Sequence, residues 1–213
     1  MDTPSDLDPV PAKRDRIRSV IVLAGVLAIL TAALVWLADA TRERIAANQQ
    51  SGVTTALNAL MAPRTYDNEP LEDSIEVSAP DFLGTSRPVL VYRARKDGQP
   101  VAVIVRPIAP DGYRGPIELM VAIAYDGTLI GVQVLRHNET PGLGDAFENR
   151  EADWLDGFRG LSLMKPPQQR WTVRRDGGEF DAFTGATITP RAIVKAVRRS
   201  LEFYNANRDR LFD

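Results

Sequence analysis

The sequence predicts an α+β fold: a single N-terminal transmembrane helix, then a domain with an antiparallel sheet and a C-terminal helix. Three observations predict it. Residues 19–38 contain no charge, two pairs of β-branched runs each surround an Asp-Gly, and the last stretch switches to helical spacing.

The apolar run SVIVLAGVLAILTAALVWLA is twenty residues long, or roughly 30 Å of helix, the thickness of a hydrocarbon core. A cleaved signal peptide has a shorter apolar core and a small-residue cleavage site, whereas Asp39-Ala-Thr-Arg-Glu-Arg follows here at once. A retained anchor is therefore expected. Lys13, Arg14, Arg16 and Arg18 crowd its N-terminal side, against Arg42 and Arg44 on the other, so the N-terminus is expected in the cytoplasm and the domain outside it. In a bacterium this is a single-pass inner-membrane protein with a periplasmic domain.

Ahead of the span, residues 2–11 hold three prolines and three aspartates and read as a short disordered tail. After it, Ile45, Val53, Leu57 and Leu60 are spaced for a helix joining the globular part. Residues 89–105 form two β-branched runs around Asp97-Gly98, a hairpin signal, because such turns need positive φ. Ile117–Tyr125 and Leu129–Leu135 repeat the pattern around Asp126-Gly127. Trp171–Arg174 and Glu179–Phe180, flanking Asp176-Gly177-Gly178, are expected as a third pair. Beyond Pro190, the residues Ile193, Val194, Val197, Leu201 and Tyr204 make one helical face, with Arg191, Lys195 and Arg198 turned away. The expected organisation is a cytoplasmic tail at 1–18, the span at 19–38, a helical linker and variable region at 39–88, and the extracytoplasmic domain at 89–213. No function is legible in residues 62–87.

Composition narrows the chemistry. A net charge of -2 over 213 residues, with mixed signs, leaves no basic stripe for nucleic acid. The absence of cysteine and the presence of one histidine, His137, exclude disulfides, cysteine-held iron–sulfur clusters and ordinary zinc sites. Redox chemistry in this chain calls for an organic cofactor or an unusual metal site.

The informative run is Asp181-Ala-Phe-Thr184-Gly185-Ala186-Thr187-Ile188-Thr189-Pro190. Thr189 suits an N-cap and Pro190 the first helical position. Such a helix start attracts anions, and Gly185 and Ala186 let a bulky ligand approach the backbone. On the residues alone the segment is either a simple helix cap or a phosphate site. A second run, His137-Asn-Glu139-Thr140-Pro141-Gly142-Leu143-Gly144, is a Gly/Pro-punctuated loop at a strand end.

The first run resembles the [ST]-G-A-T motif of the FMN-binding domain family. The second resembles a loop shared by the G subunits of Rnf-type electron-transport complexes and the C subunits of sodium-pumping NADH:quinone oxidoreductases. The pattern FDAFTGATITPRAIVKAV is closer to the G subunits. The resemblance implies an FMN-binding domain carrying one FMN, esterified through its phosphate to Thr187 by a flavin transferase. It further implies cofactor contacts from Thr184, Gly185, Ala186, Glu139, Thr140, Gly142 and Leu143, and an aiding role for Asp181 three residues before the motif. Trp154, Trp171 and Phe183 are candidates for stacking on the flavin or for the core. The chain would relay electrons, together with other membrane subunits, in an ion-translocating ferredoxin:NAD oxidoreductase, with no catalytic residue or metal of its own. The alternatives are the quinone-reducing relative, a regulatory flavoprotein, and a cofactor-free tethered scaffold.

Overall fold

A computed structural model describes residues 13–148 and 154–212; the expected tail at residues 2–11 lies outside them. Two compact units are present, Met1–Gln50 and Ser51–Asp213. The first contains most of helix α1 (Lys13–Leu60). Ile17–Arg42 is long and apolar enough to cross a membrane, and its large side chains, among them Leu23, Ile29 and Trp36, are exposed. The uncharged, exposed surface of residues 19–38 matches lipid better than water.

The second unit is built on a six-stranded antiparallel sheet: β1 (Ser74–Val77), β2 (Val89–Lys96), β3 (Gln99–Val105), β4 (Ile108–Ala109), β5 (Ile117–Ala124) and β6 (Leu129–Arg136). β1 pairs with β2, β2 with β3, and β3 with β5. The short β4 continues along the same edge of β5, opposite Ile117 and Glu118, while β6 takes the other edge. The two predicted hairpins are β2–β3 and β5–β6. In the first, Asp97 and Gly98 both adopt positive φ, 51° and 74°, as a two-residue primed turn requires. In the second, Asp126 accepts hydrogen bonds from the Thr128 amide and hydroxyl at 2.9 and 2.7 Å, closing a wider loop.

Both faces of the sheet are covered. On one, Val91, Val105, Leu119, Val121 and Ile123 pack with Ile193, Val197, Leu201 and Tyr204 of α3 (Ile188–Phe212). On the other, Val53, Leu57 and Leu60 of α1 pack on Tyr92, Ile104, Met120 and Ala122. Burial of both faces explains why β5 reads as a continuous apolar run and not as strict alternation.

Three details differ from the sequence reading. The third predicted pair is not a hairpin: residues 174–176 form a 3-10 turn, and only one bridge, Val173 to Phe180, joins its sides. The flanking runs are too short to build a ladder, and Trp171, Val173 and Phe180 are buried, Trp171 and Phe180 in the α3-side core. Residues 62–87 contribute β1 and the short helix α2 (Pro80–Leu83). Finally, α3 starts before Pro190, which sits in its first turn, where the missing amide costs no hydrogen bond.

Candidate functional site

The chain reaches α3 through a tight turn. The Ala186 amide donates to the Phe183 carbonyl at 3.0 Å, leaving Thr184 and Gly185 as an exposed tip. Gly185 has φ of 79°, a conformation that disfavours any side chain. The root of the turn is fixed by packing. Phe183 is buried against Trp154 and Phe147, with ring centroids 5.0 and 6.2 Å away, and the Trp154 indole donates to the Asp181 carbonyl at 3.0 Å.

Thr187 follows, half-buried. Its carbonyl accepts the Arg191 amide at 3.4 Å, which makes Thr187 the N-cap of α3 and moves Thr189 from the predicted cap into the first turn. The amides of Ile188 and Thr189 have no carbonyl one turn back within the helix, and Pro190 has no amide at all. The positive end of a 25-residue helix therefore lies at Thr187.

The second motif lies beside the first. Leu143 is half-exposed, and a Cβ added to Gly185 would stand 3.5 Å from its Cδ2. Within the loop, the Gly142 amide donates to the Asp145 carboxylate at 2.7 Å, and the Leu143 and Gly144 amides donate to the Thr140 carbonyl at 3.2 and 3.0 Å. His137 accepts the Glu139 amide on Nδ1 at 3.1 Å. Its Nε2 is thereby left as the donor to Glu148, 2.7 Å away.

Glu139 is buried, 4% exposed. One oxygen accepts the Arg114 backbone amide at 3.1 Å, and the other accepts the Thr189 hydroxyl. The carboxylate thus joins the segment before β5, the loop after β6 and the first turn of α3. The predicted residues Thr184, Gly185, Ala186, Thr187, Leu143 and Glu139 are brought into one region, together with Thr140 and Gly142 on the same loop. Asp181 is exposed and turned to Arg174, 2.8 Å away. Trp171 and Phe183 are buried core aromatics, the Trp171 indole donating to the Pro166 carbonyl at 3.1 Å, whereas Trp154 is half-buried. Sequence reasoning missed Gly112 and Arg114. Their only local signal is the Gly-rich spacing Gly112-Tyr-Arg-Gly115.

Two cations of α3 are already paired. Arg191 holds Asp176 through two contacts of 2.7 and 3.1 Å, and Lys195 meets Asp111. The hydrogen bond from Arg191 keeps the Asp176 carboxyl below its ordinary range. Helix N–H groups supply positive potential at Thr187. A cleft of about 610 Å³ lies between β1, α2 and residues Phe203–Leu211. Its nearest α3 residue is roughly 24 Å along the helix from Thr187, and the cleft does not belong to this site.

The FMN-binding domain model matches residues 112–202, a stretch that contains both loops and all three arms of the Glu139 carboxylate. The G subunit of the ion-translocating oxidoreductase complex of Pseudomonas aeruginosa strain PAO1 is 44% identical over 200 residues, 93% of each chain. This chain belongs to the family of G subunits of ion-translocating oxidoreductase complexes. The corresponding G subunits of Shewanella loihica and Vibrio cholerae are likewise 44% identical, over 192 and 191 residues and at least 89% of each chain. Coverage of this extent spans the apolar helix as well as the FMN-binding domain, so the family likeness concerns the whole architecture.

Proposed function

We propose that this chain holds one FMN as a phosphoester on Thr187 and relays electrons within its membrane complex. The chain is a membrane-anchored flavoprotein of an ion-translocating oxidoreductase complex. The observation that carries the attachment assignment is the position of Thr187. This half-buried residue stands at the N-cap of α3, where a phosphoryl group gains both backbone donors and the helix dipole. The residues fit the group: Gly185 removes steric bulk beside the attachment point, and Leu143 supplies an exposed apolar side chain.

When bound, FMN supplies reversible one- and two-electron acceptance. The chain's residues do the rest. Thr187 tethers the phosphate, and Thr184 and Gly185 form the exposed tip that a flavin transferase must reach. Thr140, Gly142 and Leu143 flank the site, and Asp181 serves as an exposed recognition carboxylate. Thr187 is an attachment residue and takes no part in turnover. The basic bias of Lys13, Arg14, Arg16 and Arg18 supports an N-terminus in the cytoplasm, so the domain works on the periplasmic side. A tether is useful there, because a dissociable cofactor outside the cytoplasm would be diluted and not reloaded. The other membrane subunits supply and remove the electrons.

The test is coproduction of the full chain with a flavin transferase, followed by in-gel flavin fluorescence after denaturation and peptide mass mapping. A fluorescent band with the adduct on Thr187 is expected. A dark band would leave a cofactor-free scaffold and end the covalent reading.

A further inference from the structure

Glu139 has the environment of a working group and not that of a structural ion pair. Its side chain is almost wholly buried, and among the described residues neither oxygen meets a cation. Both oxygens accept, from the Arg114 amide and the Thr189 hydroxyl. A buried anion without a counter-charge is costly unless neutral donors and dipoles hold it. Here the first turn of α3 supplies the dipole.

The slot leaves the carboxylate no second position. A Cβ added to Gly144 would lie 2.8 Å from Oε2 and 3.2 Å from the Thr189 hydroxyl. A Cβ added to Gly112 would lie 3.0 Å from Oε1 and 2.2 Å from the Gly115 carbonyl. Two glycines therefore face the same carboxylate from different segments. Thr189 is fully buried and two residues beyond Thr187. Fixing its hydroxyl fixes the rotation of the first turn about the helix axis, and hence the direction in which the N-cap residue points.

We propose that Glu139 is a positioning residue. Through Thr189 it aims the Thr187 hydroxyl for flavin attachment, and it places a fixed negative charge at the base of the finished site. The inference rests on Thr187 as the attachment residue. Removing the charge should act on two independent quantities. Attachment should slow because the hydroxyl is no longer held in one direction. The flavin potential should rise, because a nearby negative charge opposes the gain of an electron.

The experiment uses the full chain in membranes with flavin transferase, comparing wild type, Glu139→Gln, Thr189→Val and Thr189→Ser. It measures the rate of covalent loading by in-gel fluorescence and the midpoint potential of the loaded fraction across pH. Glu139→Gln should load about tenfold more slowly, the effect of losing one charge-assisted hydrogen bond, and its flavin should have a more positive potential. Thr189→Val should share the loading defect, and Thr189→Ser should restore the wild-type rate. Wild-type loading in Glu139→Gln would overturn the proposal, and so would slow loading with an unshifted potential. If Glu139→Gln does not fold, the threonine pair decides: Thr189→Val loading at the wild-type rate, or Thr189→Ser failing to rescue, overturns it. A wild-type chain without covalent flavin would instead refute the Thr187 assignment itself.

Discussion

Two carboxylates, Asp73 and Glu139, each tie together segments far apart in sequence, and they do so by opposite means. Asp73 is about a quarter exposed and meets two guanidiniums, Arg93 at 2.6 Å and Arg95 at 3.0 Å, with Asn68 donating to it at 3.2 Å. Arg95 continues to the Phe212 carbonyl at 3.0 Å, so the network joins the segment before β1 to β2 and to the end of α3. Burial pushes the Asp73 carboxyl up, but the hydrogen bonds and charges of Arg93 and Arg95 outweigh it and hold the group below its usual 3.8. Glu139 has no such cations, lies deeper, and borders the proposed attachment residue. A charge balanced by fixed cations serves the fold, whereas an unbalanced one in a glycine-lined slot beside a helix start serves a site.

The largest effect should come from a change that touches neither carboxylate. Thr187→Ala should abolish covalent flavin and leave the fold intact, lowering stability only by the roughly 0.5–2 kcal/mol of a lost helix N-cap. Covalent FMN retained elsewhere in that variant would remove the reason for treating Glu139 differently from Asp73.

Asp73→Asn comes next and should act on the fold alone. A network with side chains about a quarter exposed or less lies between surface pairs, worth up to ~1 kcal/mol, and buried ones, which cost ~3–5 kcal/mol to break. A loss of about 2 kcal/mol in denaturant unfolding of the loaded protein is expected, with flavin loading unchanged. Impaired loading would break the contrast between the two groups.

Acid supplies a weaker version of the same test. The Asp73 carboxyl is depressed in the folded state, so its contribution is complete above the unfolded value near 3.8 and is lost as pH falls through the lower folded value. Melting temperature should therefore drop with acidification below about pH 4. The Asp73→Asn variant should lack this component of the drop.

How much of this was legible in the sequence depends on how far apart the partners are. Asp97-Gly98 announces its hairpin because the turn geometry is local. The α3 face is legible from Ile193 to Tyr204 because every buried member lies on one helix. The anchor is legible from hydropathy alone. β1 was not, because four residues become a strand only by pairing with β2. The failed third hairpin has turn residues like those of the others, but its flanks are drawn into the aromatic core. At the site, the threonine motif is contiguous and was recognised by resemblance. The role of Glu139 could not be read, since its partners Arg114 and Thr189 stand 25 and 50 residues away.

Two exposed aspartates provide the smallest tests. Asp181 pairs with Arg174 at 2.8 Å, with both side chains more than 60% exposed, and it is the Asp181 backbone carbonyl, not its carboxylate, that anchors Trp154. Asp181→Ala should thus lower flavin loading a few-fold, through recognition by the transferase, without moving the melting temperature. A large thermal loss with normal loading would make Asp181 structural. Asp176→Asn frees Arg191, a cation in the first turn of α3, where the dipole disfavours it. The pair is solvent-exposed and screened, so the melting temperature should shift by about a degree at most, and less at high salt. Loading should stay normal or quicken slightly, because an unpaired Arg191 adds positive potential near Thr187. A marked loading defect in Asp176→Asn would mean that the direction of the first turn is set from its exposed side as well as by Glu139.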